Sequence, residues 1–374
     1  MSVAHEDTPG VRRAWGWAGH LRAGGSTAWR DWTGEGPAGG RALPGAQQLE
    51  LLRRLNLAGR PSGHLVERVL TASAPGRGRP DLELAGAVER PRFGPPPVDP
   101  ADLADDELLR VAASLLAEDV VAGGAPEPPG PGWVRPWRGR YRLLGDPALA
   151  APLRRELVAR GRPPGGRNAV PLVLGTDLGQ MLADVWEHRC FGEGGATWRR
   201  WLDALARRDA LPPRADLLGI AGARAVRRRP EIVLDPAAVP RLVGVRRLSP
   251  RPGPVAADAA DLARRVSAVL GLLVAPDRRE VLLRQSLRPR LAAVGGEPVV
   301  VPEEYHAWVH ARAVRMRDGL LRAGYAVHGD PDALLPRARR GVAEPSDAGV
   351  LALALGLLLE GDRTDTDDGE ETTR

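Results

Sequence analysis

Lysine is absent from this sequence, and all 53 of its Lys-or-Arg positions are arginine. This absence excludes the phosphate-binding lysine of a G-x-x-x-x-G-K-[ST] loop, Schiff-base lysines and lysine general bases. Isoleucine, asparagine and phenylalanine are also scarce, whereas glycine occurs 45 times and proline 36 times. The scarce residues are those with AT-rich codons, so the composition indicates a GC-rich bacterial genome.

Cysteine and long apolar runs are scarce as well. Cys190 is the one cysteine, which excludes an intramolecular disulfide and a cysteine-rich metal site. The first ten residues lack the basic stretch and apolar run of a signal peptide. The longest apolar run, residues 350–359, has about half the length that a membrane span needs. These absences predict a cytoplasmic protein with no membrane partner.

The formal net charge of +6 is unevenly distributed along the chain. Residues 361–374 are rich in acidic residues and almost free of apolar ones, which predicts a disordered acidic tail. The rest of the chain is basic, and Arg227, Arg228 and Arg229 form its densest run of arginines. No zinc finger, recognition-helix pattern or alternation of aromatic and basic residues accompanies this run. Nucleic-acid binding through an arginine-rich surface is therefore disfavoured, and it is kept as an alternative.

Two stretches rich in proline and glycine, at residues 91–100 and 123–137, divide the chain. Neither stretch can continue a helix or a central strand. Asp99 and Pro100 predict the start of one helix between the two stretches. The predicted organisation is a mainly helical N-terminal region (1–90), linkers flanking one helix (91–137), an α/β domain (138–360) and the acidic tail (361–374).

From residue 138 onward, short apolar strands alternate with amphipathic helices. Strands are predicted at 140–144, 170–176 and 231–235, and a further segment at 325–330 follows the last long helix. Helix starts are predicted at Asp146, Asp177 and Pro302. This alternation predicts an α/β fold with a mostly parallel sheet that is covered by helices.

The sequence contains one internal repeat. The segment with Trp29 and Trp32 resembles the segment with Trp198 and Trp201, and each follows a glycine pair and a threonine. The physical interpretation is a glycine turn, a threonine cap and two tryptophans that pack from one helix face. The repeat predicts that the N-terminal region is a shortened half-domain copy. Chance similarity in a biased composition is the alternative.

The turn Gly175-Thr176-Asp177 is the segment most typical of a binding site. Ligands of open α/β sheets bind at the carboxyl ends of strands, beside the N-termini of helices. Asp184 and His188, on the helix that follows, complete the candidate pocket. The alternative is that Thr176 or Asp177 is a simple helix N-cap.

Candidate catalytic and metal residues are few. His306 and His310 are spaced so that both could bind one metal ion, but the glutamate of an H-E-x-x-H motif is missing. The alternative is two polar residues beside a core stripe that includes Trp308. Cys190 lies two residues from His188, which is a poor spacing for a nucleophile and its base. No catalytic residue, cofactor or metal is therefore predicted.

Several of these segments resemble bacterial sulfotransferase-like proteins, the P-loop sulfotransferase family. Residues 301–336, which begin Val-Pro-Glu-Glu-Tyr-His-Ala-Trp-Val-His, are similar to the C-terminal end of that family. Residues 170–186 are similar to its central strand and helix, and residues 230–235 to the strand that follows. The resemblance extends over residues 140–360.

The resemblance implies a P-loop fold and 3′-phosphoadenosine 5′-phosphosulfate as the sulfuryl donor. In that family a lysine-containing loop binds the 5′-phosphosulfate, and an arginine and a serine bind the 3′-phosphate. This chain has no lysine, and the arginine and serine positions fall on Thr176 and Asp184, whose carboxylate would repel the phosphate.

The expectation is a degenerate sulfotransferase-like domain that serves as a binding or scaffold module, with an unidentified protein as its partner. The alternative within the same family is an active sulfotransferase, or another transferase of anionic groups, whose donor site is built from arginine alone.

Overall fold

The computed structural model describes residues 8–39, 42–72, 80–87, 94–126, 141–165, 169–224, 229–249 and 253–371. The chain divides into two compact units, the first formed by Met1–Gly124, Arg265–Leu282 and Ser346–Arg374, and the second by Ala125–Arg264 and Leu283–Pro345.

Most of the described residues are helical, and short strands lie between the helices of the second unit. In chain order the elements are α1 (Pro9–Arg22), α2 (Ala46–Ala58), α3 (Gly63–Thr71), α4 (Asp105–Gly123), β1 (Tyr141–Gly145), α5 (Pro147–Ala159), β2 (Val170–Leu174), α6 (Leu178–Cys190), α7 (Trp198–Arg207), α8 (Leu217–Arg224), β3 (Glu231–Val233), α9 (Val239–Leu242), α10 (Ala257–Leu273), α11 (Pro276–Leu282), a π-helix (Leu283–Leu287), α12 (Arg288–Ala293), α13 (His306–Arg322), β4 (Ala326–His328) and α14 (Asp347–Glu371). Within the described ranges, no helix is both long enough and apolar enough to cross a membrane.

The first unit has a helical core. Helices α2, α4 and α14 pack on one another, and they bury leucines such as Leu52, Leu115 and Leu358. The predicted helix after Asp99 begins later than expected. Asp99 caps a short 3-10 turn, and α4 begins only at Asp105 because the backbone between them is extended.

One boundary between the two units, between Gly124 and Ala125, falls inside the second stretch rich in proline and glycine, and none falls inside the first stretch. Helix α4 was predicted within the linker region and α14 mostly within the α/β domain, yet both belong to the first unit. The other three boundaries fall inside α10, between α11 and the π-helix, and just before α14, at positions 264/265, 282/283 and 345/346. Proline and glycine mark loops, but they do not indicate which helices share a core. Residues 91–93 and 127–137 of these stretches lie outside the described residues.

Helix α14 continues to Glu371, where the composition predicts disorder. The Asp362 carboxylate accepts hydrogen bonds from the backbone N–H and the hydroxyl of Ser62, the N-cap residue of α3. This contact joins residues that are 300 positions apart, so composition alone gives no sign of it. Residues 372–374 lie outside the described part of the chain.

The second unit contains a sheet of four parallel strands in the order β1-β2-β3-β4. The register places Leu143 beside Leu172 and Leu174 beside Val233. These side chains share a hydrophobic cluster with Leu149 of α5, while α8 also packs on the sheet. The predicted α/β fold with a parallel, helix-covered sheet is confirmed.

The internal repeat has the same geometry in both copies. Trp17 lies with its ring 5.3 Å from the ring of Trp29 at an angle of 52°, and Trp186 lies 5.5 Å from Trp198 at 57°. The indole N–H of Trp17, like that of Trp186, donates to a backbone carbonyl ten residues farther along. Each copy therefore uses a helical tryptophan to hold the loop that leads to the second tryptophan.

The two copies differ after the second tryptophan. Trp198 begins α7, whereas Trp29 begins only a single 3-10 turn. Trp198 and Trp201 are both buried, as the spacing predicts. Thr197 is the N-cap residue of α7, as predicted, but its side chain makes no capping hydrogen bond to the helix.

Candidate functional site

An aspartate follows every strand of the sheet and caps the turn or helix that comes next. Asp146, Asp177, Asp235 and Asp330 follow β1, β2, β3 and β4. Each accepts a backbone N–H at 2.9 Å from a residue two or three positions ahead. Proline comes directly after three of them, where its missing N–H and fixed φ suit the first position of a helix.

Two of these caps lie at helix N-termini, where phosphates bind in other proteins. Phosphates bind at helix N-termini through backbone N–H groups that have no partner in the helix. Here the buried carboxylates of Asp146 and Asp177 accept such N–H groups at the starts of α5 and α6. The turn before α5 is also tight, since Gly145 has φ +90° and a Cβ there would lie 2.1 Å from the Leu174 carbonyl oxygen.

The predicted turn at 175–177 serves mainly for capping and packing. Asp177 is the N-cap of α6, and its second carboxylate oxygen accepts hydrogen bonds from Nε and Nη2 of Arg339 at 2.9 and 2.7 Å. A Cβ on Gly175 would lie 2.4 Å from Cδ1 of Leu217, so close packing requires glycine there. Thr176 lies between them and is partly buried.

A cavity of about 400 Å³ opens beside the N-terminus of α6, and we call it the α6 cavity. It is lined by Asp177, Gly179, Gln180, Ala183, Val299–Val301, His306, Val309, His310 and Pro336–Arg339. His306 Nε2 donates to the carbonyl oxygen of Val301 at 2.9 Å, so this nitrogen already has a partner. Among the described residues, no three or more potential ligands gather into a metal site.

A second cavity, of about 240 Å³, lies between α5, α6 and the segment of the π-helix and α12. We call it the arginine cavity. Its charged and polar lining comprises Arg154, Arg155, Asp184, Glu187, His188, Arg284, Gln285 and Arg288.

His188 is held in one protonation state in the arginine cavity. Nη2 of Arg284 lies 3.1 Å from Nε2 of His188. A guanidinium group only donates, so Nε2 accepts and the imidazole proton is on Nδ1. Burial, with a contribution from the positive charge of Arg284, lowers the pKa of His188 to about 3. The imidazole is therefore neutral near pH 7 and adds no charge to the cavity.

The two carboxylates of the arginine cavity are both hydrogen-bonded. Glu187 accepts from Arg288 at 2.8 Å and from the backbone N–H of Val255 at 3.2 Å. Asp184 accepts from Nε2 of Gln180 at 2.8 Å. Both carboxylates are therefore already hydrogen-bonded to other groups of this chain.

The structure distributes the predicted site residues over two cavities. Asp184 and His188 line the arginine cavity, whereas Asp177, His306 and His310 line the α6 cavity. The arginines were missed, because they come from segments without a binding-site motif and meet only through packing.

Cys190 is not an activated nucleophile. The thiol is fully buried, and burial raises its pKa above the usual range. A protonated, buried thiol is inert as a nucleophile.

A third cavity, of about 560 Å³, lies at the carboxyl end of β1. Arg154, Arg214 and Arg224 line it together with Asp216 and the backbone of β1. This cavity reaches Gly145, the last residue of β1, and it bears on the alternative of an arginine-based donor site.

The run Arg227 to Arg229 adds little to the alternative of nucleic-acid binding. Arg229 donates from Nη2 to the carbonyl oxygen of Ala323 at 2.7 Å, so part of its fork is used within the chain. Arg227 and Arg228 lie outside the described residues.

Comparison with known proteins finds no relative. No protein-family model, no curated protein and no solved structure matches this chain.

Proposed function

We propose that this chain is a degenerate sulfotransferase-like domain that acts as a binding module without donor chemistry. The observation that carries the proposal is the capping aspartate after each of the four strands. A sulfuryl donor needs open backbone N–H groups and positive charge at these turns. The chain supplies negative charge instead, and its own carboxylates take the N–H groups.

The placement of the resembling segments supports a sulfotransferase-like origin. Residues 170–186 form β2 and most of α6, residues 230–235 include β3, and residues 301–336 include α13 and β4. They are thus consecutive parts of one parallel sheet and its helices. Asp184, at the position that the resemblance gives to a phosphate-binding serine, is a buried residue whose carboxylate cannot donate a hydrogen bond to a phosphate as a serine hydroxyl does.

The binding function implies a partner. An unidentified protein of a bacterial cytoplasm is the partner that the sequence predicts, and both the partner and the compartment are part of this proposal. The proposal requires no catalytic residue, and it assigns Asp146 and Asp177 a structural role at the helix starts.

Calorimetric titration with 3′-phosphoadenosine 5′-phosphosulfate tests the proposal. We expect no binding at micromolar concentrations, because both helix starts are capped by buried carboxylates. Asp146→Asn is the matched variant, since it removes the charge and keeps an acceptor for the backbone N–H. A micromolar dissociation constant for the unmodified protein would contradict the proposal.

An active transferase with an arginine-based donor site is the second candidate. The cavity at the carboxyl end of β1 favours it, because Arg154, Arg214 and Arg224 could bind phosphate groups through their planar forks. The same titration separates the two candidates. Donor binding that is lost in Arg214→Gln and kept in Arg340→Gln would support the transferase, since the Arg340 side chain is 94% exposed and lies outside this cavity.

A further inference from the structure

The arginine cavity borders the first turn of α5, which Asp146 caps, and its lining comes mainly from α5, α6, the π-helix and α12. The π-helix Leu283–Leu287 contributes Arg284 and Gln285 to it, and Arg288 follows at the start of α12. The wider turn of a π-helix is uncommon and occurs often at functional sites. In this chain the π-helix and the first residue of α12 supply two of the four arginines that line the cavity.

The charge of the cavity favours an anion. Four arginines and two carboxylates line it, and His188 is neutral, so its formal net charge is +2. Both carboxylates are already held by groups of the chain, Glu187 by Arg288 and Asp184 by Gln180. A singly charged ligand would leave positive charge uncompensated, whereas a dianion would balance it.

The donors in this cavity are side chains and not helix amides. Pro147 lines the cavity at the first position of α5, where it has no N–H to offer. Arginine forks therefore have to supply the hydrogen bonds, and they match the oxygens of a phosphate better than any other side chain. The rest of the wall is apolar, with Phe191 and Pro254 among its residues, so it can accommodate a small organic group.

We propose that the arginine cavity binds the dianionic phosphate of a small molecule, either free phosphate or a small phosphomonoester. A phosphate group of this kind carries about −1.5 to −2 charges near pH 7, which matches the cavity. The volume of about 240 Å³ restricts the organic part to a few atoms. This inference deepens the proposed function, because it gives the binding module a ligand class.

Binding of inorganic phosphate and of phenyl phosphate to the full chain, measured by calorimetry and by ³¹P NMR, tests the inference. We expect saturable binding of at least one of them. Arg284→Gln and Arg288→Gln should weaken it by about tenfold or more, since each removes a charge-assisted hydrogen bond. Arg340→Gln is the charge-matched control, and it should leave the affinity unchanged because this side chain lies outside the cavity.

Arg155→Gln keeps the test decisive if the first two variants do not fold. Arg284 and Arg288 also hold His188 and Glu187, whereas Arg155 lines the same cavity with an exposed side chain. We expect Arg155→Gln to fold and to weaken phosphate binding. Tighter binding of phenyl phosphate would identify a phosphomonoester as the ligand, and tighter binding of inorganic phosphate would identify the free anion.

Two results would overturn the inference. One is the absence of binding by either probe up to about 10 mM, which is far above the dissociation constant of a specific site. The other is binding that all the cavity variants retain at full strength. Neither result touches the proposed function, which fails separately if 3′-phosphoadenosine 5′-phosphosulfate binds at micromolar concentration.

Discussion

Replacing Trp198 by alanine should destabilise the second unit strongly. The Trp198 side chain is fully buried, and its indole N–H donates to the carbonyl oxygen of Val300 at 3.1 Å. Its ring lies 5.5 Å from Trp186 and 5.6 Å from Trp201. Truncating a buried tryptophan costs about 3–5 kcal/mol in the free energy of unfolding. That is a large part of the ~5–15 kcal/mol that stabilises a folded domain.

Urea unfolding followed by far-UV circular dichroism measures this loss, and hydrogen exchange shows whether it is centred on α6 and α7. Trp29→Ala makes the matching change in the first unit, where Trp29 is 3% exposed and bonded to the carbonyl oxygen of Ala85. We expect a loss of the same order, about 3–5 kcal/mol. Trp308→Ala is the control, because Trp308 is only partly buried and bonds to the exposed Asp209.

Two outcomes would refute the reasoning. Trp198→Ala could lose no more stability than Trp308→Ala, which would mean that the repeated pair does not hold the core. Trp198→Ala could also fold normally and lose only a ligand, which would assign the tryptophan to a binding site. A large loss for Trp198→Ala with none for Trp29→Ala would show that the two copies share geometry but not energetic importance.

Three further predictions follow from single contacts. Asp362→Ala should cost about 1 kcal/mol in urea unfolding, as the loss of a helix-start contact usually does, because its carboxylate binds the N-cap residue of α3. Gly175→Ala should cost about 1–3 kcal/mol in urea unfolding through overpacking, and it should cost less in a Leu217→Ala background, where the contacted Cδ1 is gone, so the two losses should be less than additive. Burial and Arg284 lower the pKa of His188 to about 3 from 6.5, so the unfolded chain binds more protons between these values and stability should fall as the pH falls through that window. Arg284→Gln should raise the pKa of His188, which an NMR titration of the imidazole measures.

Each of these predictions has a control and a contradicting result. Arg363 is exposed and adjacent to Asp362, so Arg363→Ala should be nearly neutral, and equal losses for the two variants would contradict the capping role. If Gly175→Ala costs as much in the Leu217→Ala background as in the unmodified chain, its effect does not come from that contact. A folded-state pKa of His188 near its usual value would show that the imidazole is not buried beside Arg284.

Local signals in the sequence located most elements of the second unit. Asp146 followed by Pro147 predicted the start of α5, and Asp177 predicted the start of α6, each as the structure has it. Such signals work because capping and proline geometry act within a few residues. Asp99 predicted a helix start in the same way, but it caps only a 3-10 turn. A cap shows where a helical turn begins, and it does not show whether the helix continues.

These local signals could not predict contacts between distant segments of the sequence. Helices α4 and α14 pack together although more than two hundred residues separate them in the sequence. The arginine cavity also depends on a contact between distant segments. Arg284 lies beside His188, although 96 positions separate them in the sequence. Neither the π-helix nor Arg288 belongs to a motif, so the sequence could place Asp184 and His188 on one helix but not their partners.

The capping aspartates connect the predictability of this fold to the proposed lack of donor chemistry. A helix start needs an acceptor for its first N–H groups, and a parallel sheet brings several such starts to one edge. A bound phosphate can satisfy them, or a carboxylate of the chain can do so permanently. This chain uses carboxylates at all four strand ends, so its sheet is complete without a ligand. With no lysine available, an anion site has to draw its positive charge from arginine, and the arginine cavity beside α6 brings four arginines together.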